Sequence, residues 1–176
     1  MQFFVLLRLE VVEKHQQILL AEALYTALAT GDKDRLTSLL HPDFEGEATA
    51  GLPFGMGGKY SGPAAMRRNF WGQIARHYVA RAEPAKLLHL EDGRLLVHGR
   101  YTGTSRETGR AFEASFVHFL SFADGQISGL VQLTDSGAWA NATQPDLQQA
   151  IQHTPEQHKP EQHQPRQQIQ SHEFST

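Results

Sequence analysis

The chain is expected to form an α+β domain, with helices packed on one face of a curved, mostly antiparallel sheet. Three observations predict it. Apolar residues recur at helical spacing in the first half, at Ile18, Ala21, Tyr25 and Leu28 and again at Met66, Phe70, Ile74 and Tyr78. The second half alternates apolar and polar residues between short turn signals, Glu91-Asp92-Gly93, Arg106-Glu107-Thr108-Gly109 and Ala123-Asp124-Gly125. From Gln144 onward the composition shifts to Gln, His, Pro and Glu, which offers too few large apolar residues to offset the entropy of ordering. The organisation read from this is an extension over 1–11, a folded domain over 12–140 and a disordered Gln/His/Pro-rich tail over 141–176.

The elements follow in order. A first helix is expected from Lys14 to Ala29, stopped by Gly31. Asp32 caps a short second helix with Leu36, Leu39 and Leu40 on its inner side, and His41-Pro42-Asp43 ends it. Phe44 to Thr49 reads as a short strand, followed by a glycine-rich loop from Gly51 to Gly62 that would rim a cavity mouth. Pro63 occupies a first-turn position of a third helix, whose Arg67, Arg68 and Arg76 fall off the apolar stripe and suit a solvated face. Strands are expected at 84–91, 94–104, 110–122 and 126–134.

The 94–122 hairpin carries the most information. Pairing its strands about the Arg106–Gly109 turn sets Tyr101 against Ala114 and Val97 against His118. Side chains alternate along a strand, so one face carries Val97, Gly99, Tyr101, Phe112, Phe116, His118 and Leu120. The other carries His98, Arg100, Thr102, Glu113 and Ser115. An apolar, concave face with one titratable imidazole on it is the start of a ligand pocket.

Composition excludes several classes. Net charge is −3 and no basic cluster interleaves with aromatics, so nucleic acid is not an expected partner. The chain has no cysteine, hence no thiolate nucleophile and no Cys-based zinc site. The apolar start, Met1 to Leu7, is interrupted by Arg8 and Glu10 and lacks the basic head of a secretion signal; with no membrane-length apolar run, a cytoplasmic protein without a membrane contact is expected. His153, His158 and His163 recur within a short repeat of the tail and read as copies in a low-complexity segment, not as metal ligands. Lys59 after Gly57-Gly58 lacks the glycine and hydroxyl positions of a phosphate loop, which are filled here by Pro53 and Tyr60. No metal and no cofactor is implied.

Four stretches in the same order resemble the nuclear transport factor 2-like superfamily, and within it the SnoaL-like polyketide cyclases and the ketosteroid isomerases. They are Tyr25-Thr26-Ala27-Leu28-Ala29-Thr30-Gly31-Asp32, His41-Pro42-Asp43-Phe44, Tyr60-Ser61-Gly62-Pro63 and Phe116 to Ile127. The resemblance implies a cone, with a bent sheet wrapped around three N-terminal helices, and pairing into a homodimer. The isomerase chemistry is not carried over residue by residue. Its tyrosine position falls at Leu24, with Tyr25 one residue away; its base position falls at Ala48, beside an outward Glu47; its acid position falls at His118. The cyclases resemble the chain at His118, but their acid/base aspartate position holds Gln132, and the nearest carboxylate is Asp135. A glutamine can orient a carbonyl by hydrogen bonds and cannot shuttle a proton near neutral pH.

The candidate catalytic residues are therefore His118, Gln132 and Asp135, with Asp135 equally suited to capping a helix from Ser136. Tyr25, Tyr101, Trp71, Phe116, Phe70 and Leu130 are the candidates for holding a small apolar or polycyclic ligand. Two functions fit. One is a cofactor-independent isomerase, cyclase or dehydratase using histidine acid–base chemistry on a carbonyl substrate. The other is a non-catalytic ligand-binding or dimerisation module.

Overall fold

A computed structural model describes residues 2–145; from residue 146 onward the expected 141–176 tail, with the three histidines of its repeat, lies outside the described residues. The helix α1 runs from Gln2 to Thr30 and thus begins within the stretch read as an extension. It ends where Gly31 takes a φ of 68°. There the Asp32 amide donates to the Ala27 carbonyl (3.0 Å) and the Gly31 amide to the Leu28 carbonyl (3.4 Å), a paired closure that only a left-handed residue permits cheaply. Asp32 then caps α2 (Lys33–Leu39) by accepting from the Arg35 amide at 2.9 Å.

The strand β1 (Leu40–Ala48) starts earlier than expected: Leu40 and the His41-Pro42-Asp43 stretch are strand, not helix end. Burial at Phe44, Gly46 and Ala48 alternates with exposed Glu45 and Glu47, so the period of two prevails over the leucine spacing. The glycine-rich loop holds a further strand, β2 (Gly58–Ser61), paired antiparallel with β1. Its Phe54 sits at φ 58° and stacks on His77 at 3.7 Å.

The third helix is segmented. α3 (Pro63–Ala65) and α4 (Gly72–His77) are joined by a π-helical stretch, Met66–Trp71, in which the Gly72 amide reaches back to the Arg67 carbonyl. Tyr78 does not complete the helical stripe. It opens β3 (Tyr78–His89), which therefore begins well before the expected residue 84. Tyr78, Ala80 and Ala82 are less exposed than Val79 and Arg81, a strand alternation that the 66/70/74/78 spacing hides. Pro84 lies within β3, tolerated because β3 is an edge strand and shifts register there.

β4 (Leu95–Ser105), β5 (Ala111–Ala123) and β6 (Gln126–Thr134) complete a six-stranded sheet in the order β2-β1-β6-β5-β4-β3, and α5 (Ser136–Ala142) closes the domain. All neighbours are antiparallel except β1 and β6. The expected α+β class and helix-covered sheet are therefore what forms. The hairpin register is also as read, with Tyr101 opposite Ala114 and Val97 opposite His118. Its inner face is buried at Val97, Tyr101, Phe116, His118 and Leu120.

Gly99 lets this face pack closely. A Cβ there would collide with the Glu83 carbonyl oxygen and come within 2.6 Å of the Phe116 ring. Gly99→Ala is expected to cost about 1–3 kcal/mol through overpacking. Urea denaturation would read it, and an unchanged midpoint would contradict this packing.

Candidate functional site

His118 is buried in the centre of the sheet, opposite Val97 on β4 and Gln132 on β6. Both of its ring nitrogens are engaged. The Tyr25 hydroxyl, from α1, lies 2.8 Å from Nδ1, and the Tyr101 hydroxyl, from β4, lies 2.9 Å from Nε2. The Phe116 ring stacks on the imidazole at 4.2 Å, and Tyr25 lies nearly parallel to it at 5.8 Å. Tyr25 therefore reaches the site and Leu24 does not supply the hydroxyl; both are buried.

Electrostatics follow from this enclosure. Burial pushes His118 down to about 3, because an imidazolium enclosed in the core loses the hydration that would offset its charge. The imidazole is neutral at physiological pH, with one nitrogen donating and the other accepting. Burial likewise pushes the Tyr25 and Tyr101 phenols well above their ordinary value, so both stay protonated. A neutral hydrogen-bonded chain, Tyr25–His118–Tyr101, thus crosses the core from helix to sheet.

Gln132 sits beside this chain with its amide tied at one end only. Its side-chain oxygen accepts from the Thr49 amide at 3.4 Å, while its nitrogen is buried without a hydrogen-bond partner. The amide lies near enough to the Tyr101 phenol to favour its anion weakly, against the dominant effect of burial, but not in geometry that makes a hydrogen bond. An unspent buried donor is uncommon in a folded protein and costs stability unless something else accepts from it.

Asp135 takes no part in this group. Its carboxylate caps α5 by accepting from the Ala138 amide at 3.1 Å and stays exposed. The chain leaves β6 just before it, so its direction is set by the cap and not by strand alternation.

A cavity of about 670 Å³ lies between the ends of α1 and α2, the π-helical stretch, α4 and the start of β3. Such a volume suits a small organic ligand. Tyr101 forms part of its wall, as do Trp71, Ile74 and Tyr78, whereas His118 and Gln132 do not line it. Tyr101 is therefore the point at which the buried chain meets the cavity. Phe70 and Leu130 are core residues: Phe70 packs on Tyr60 at 5.5 Å, and Leu130 is buried opposite Leu120. Phe116 lies behind the wall, tilted against Tyr101 at 4.7 Å. The glycine-rich loop, expected to rim the mouth, contributes no lining residue beyond the reach of Phe54 toward Tyr78.

Five cationic residues line this cavity: Lys33, Arg67, Arg68, Arg81 and Arg106. No aspartate or glutamate does. Arg67 and Arg68, expected on a solvated helix face, belong to this group, which helical spacing alone does not reveal. A signal was present, since no acid occurs between Glu47 and Glu83 while Lys59, Arg67, Arg68, Arg76 and Arg81 fall in that interval. Among the described residues no cluster of three or more metal-ligating side chains forms, and no helix is long and apolar enough to cross a membrane.

Comparison with known proteins places this geometry in context. The SnoaL-like domain family matches residues 21–130. No curated protein matches the chain. Among solved structures, an NTF2-like protein from Burkholderia thailandensis is 26% identical with a TM-score of 0.65, over 72% of this chain and 96% of that one. TerC, crystallised with polyporic acid, is 25% identical with a TM-score of 0.65, over 72% and 97% of the two chains. A candidate polyketide cyclase from Xanthomonas campestris pv. campestris is 19% identical with a TM-score of 0.63, over 74% and 98%, a likeness of fold alone.

Proposed function

The chain belongs to the SnoaL-like domain family, and from that premise we propose that it is a cofactor-independent enzyme promoting proton transfer beside a carbonyl in an apolar, polycyclic substrate. The observation that carries this reading is the neutral Tyr25–His118–Tyr101 chain, buried along its length and ending on the cavity wall. His118 serves in it as a hydrogen-bond relay and not as the proton-abstracting base, since burial keeps it neutral. The working arrangement has Nδ1 accepting from Tyr25 and Nε2–H donating to the Tyr101 oxygen. The Tyr101 O–H is then free to donate to a substrate carbonyl oxygen.

When the α-carbon loses its proton to water in the open cavity, the C–H electron pair becomes the enolate. Its oxygen accepts the Tyr101 hydrogen bond, which strengthens as negative charge develops there. Trp71 and Ile74 supply the apolar wall against which fused rings lie. An enolate so formed can be reprotonated elsewhere, attack a second carbonyl or expel hydroxide, giving isomerisation, cyclisation or dehydration.

The test is deuterium exchange at the α-position of cyclic enones and β-keto esters, followed by NMR. The wild type is expected to accelerate exchange, and Tyr101→Phe to lower that acceleration by about 100-fold, the order associated with one lost oxyanion donor. Exchange no faster than in buffer, with the compound bound, would remove the catalytic reading.

A non-catalytic binding module is the second reading, favoured by the absence of any carboxylate among the cavity-lining residues. Pairing with a second copy belongs to the proposal in either case. It is supported by Leu88 and Leu133, each about half exposed on outward-facing strand positions. A cytoplasmic location is part of the same proposal.

A further inference from the structure

We propose that the cavity takes an amphipathic organic anion: an aromatic body inside and a carboxylate held at the mouth by a collar of cations. This rests on the reading of the cavity as a ligand site and adds the charge of the ligand. Lys33, Arg67, Arg68, Arg81 and Arg106 come from α2, the π-helical stretch, β3 and the turn after β4. None is in an ion pair among the described residues, although Arg94 and Arg100 elsewhere are.

In a chain of net charge −3, five like charges gathered around one opening, with Glu83 near Arg81 as the acid beside them, repel one another and raise the local potential. An ordinary solvated surface mixes the signs. Two of the five are also held in place by the backbone. Arg67 donates to the Lys33 carbonyl at 3.3 Å, and Arg106 to the Ala75 carbonyl at 3.0 Å. These bonds fix guanidinium groups at the rim before any ligand arrives, which lowers the ordering cost of binding. Arginine adds a planar fork suited to two parallel bonds with a carboxylate.

The interior of the same cavity is apolar, with Leu28, Leu36, Trp71, Ile74 and Tyr78 in its wall. Inorganic anions would leave that surface wet, and a neutral hydrocarbon would leave the collar unpaired. A fused-ring carboxylate satisfies both ends. Its far end would reach the Tyr101 wall, so the collar would also set which carbonyl meets the hydroxyl.

The experiment compares matched pairs by isothermal titration: 2-naphthoate against 2-naphthamide, and anthracene-2-carboxylate against its carboxamide. The wild type is expected to bind each acid at least tenfold more tightly than its amide. Raising sodium chloride from low to high concentration should erode that preference, because the rim charges are screened. Arg68→Gln with Arg81→Gln removes two collar charges that make no hydrogen bond among the described residues, and is expected to bring the acid-to-amide ratio near one. Equal binding of acid and amide, or a preference that survives both salt and the double substitution, would overturn the collar and leave the cavity reading intact. Binding of neither member of either pair would overturn the cavity reading and this inference together.

Discussion

Between pH 7 and pH 4 the wild-type protein is expected to lose roughly 3 kcal/mol of folding stability through one residue, His118. The sign follows from burial. The unfolded chain binds a proton at this imidazole near the ordinary value of about 6.5, whereas the folded chain resists until about 3. The contribution is complete above the unfolded value and is lost as pH falls through the window toward the folded one. Exposed carboxylates add their own acid sensitivity: Glu83 is held low by Arg100 and Asp92 by Arg94. Those groups are common to wild type and to His118→Gln, so the difference between the two isolates the imidazole. Glutamine keeps a donor and an acceptor for the two tyrosines and does not titrate. Urea denaturation of both proteins at pH 7 and pH 4 is the measurement. Parallel losses would show that His118 is not held neutral in the core.

Trp139→Ala is expected to cost about 3–5 kcal/mol, in the range of emptied aromatic sites. The indole is almost wholly buried and meets Phe112 at 4.4 Å, Tyr78 at 5.0 Å and Tyr101 at 5.0 Å. Its own carbonyl accepts from the Tyr78 hydroxyl at 3.1 Å, a bond that accompanies a Tyr78 phenol pushed up to about 12 by burial. Because Tyr101 rests on this indole, the substitution should also loosen the Tyr101 side chain in the cavity wall. Trp139→Phe should recover part of the stability at a fraction of the cavity volume. A loss below about 1 kcal/mol for alanine would show that α5 is dispensable to the core.

The hairpin was legible because strand alternation leaves little freedom once a turn is placed: one register puts His118 among aromatics, and the structure has that register. Tyr25 was harder. A one-position offset on a helix changes direction by about 100°, and only packing against β5 decides that Tyr25 turns inward. Tyr78 was misread because a residue four after Ile74 fits a helical stripe as well as it fits the first inward position of a strand. Asp135 could not be placed by counting along β6, since the helix cap after the strand redirects it. The cationic collar was hidden for a different reason: its members come from four separate elements, and two of them were adequately explained as solvated helix residues. Trp139 carried no pattern, being a single aromatic in a short helix made largely of small residues.

The parallel pairing of β1 with β6 has a consequence for biosynthesis. Until β6 has been made, β1 has β2 on one edge and nothing on the other. Thr49 then lacks both the Gln132 carbonyl that its hydroxyl donates to and the Thr134 amide that it accepts from. A nascent chain that has reached only β5 therefore carries an open strand edge in its amino-terminal third, the kind of edge that recruits other chains. Closure joins segments far apart in sequence, which slows folding. The last strand of this sheet to leave the ribosome is the one that seals its first.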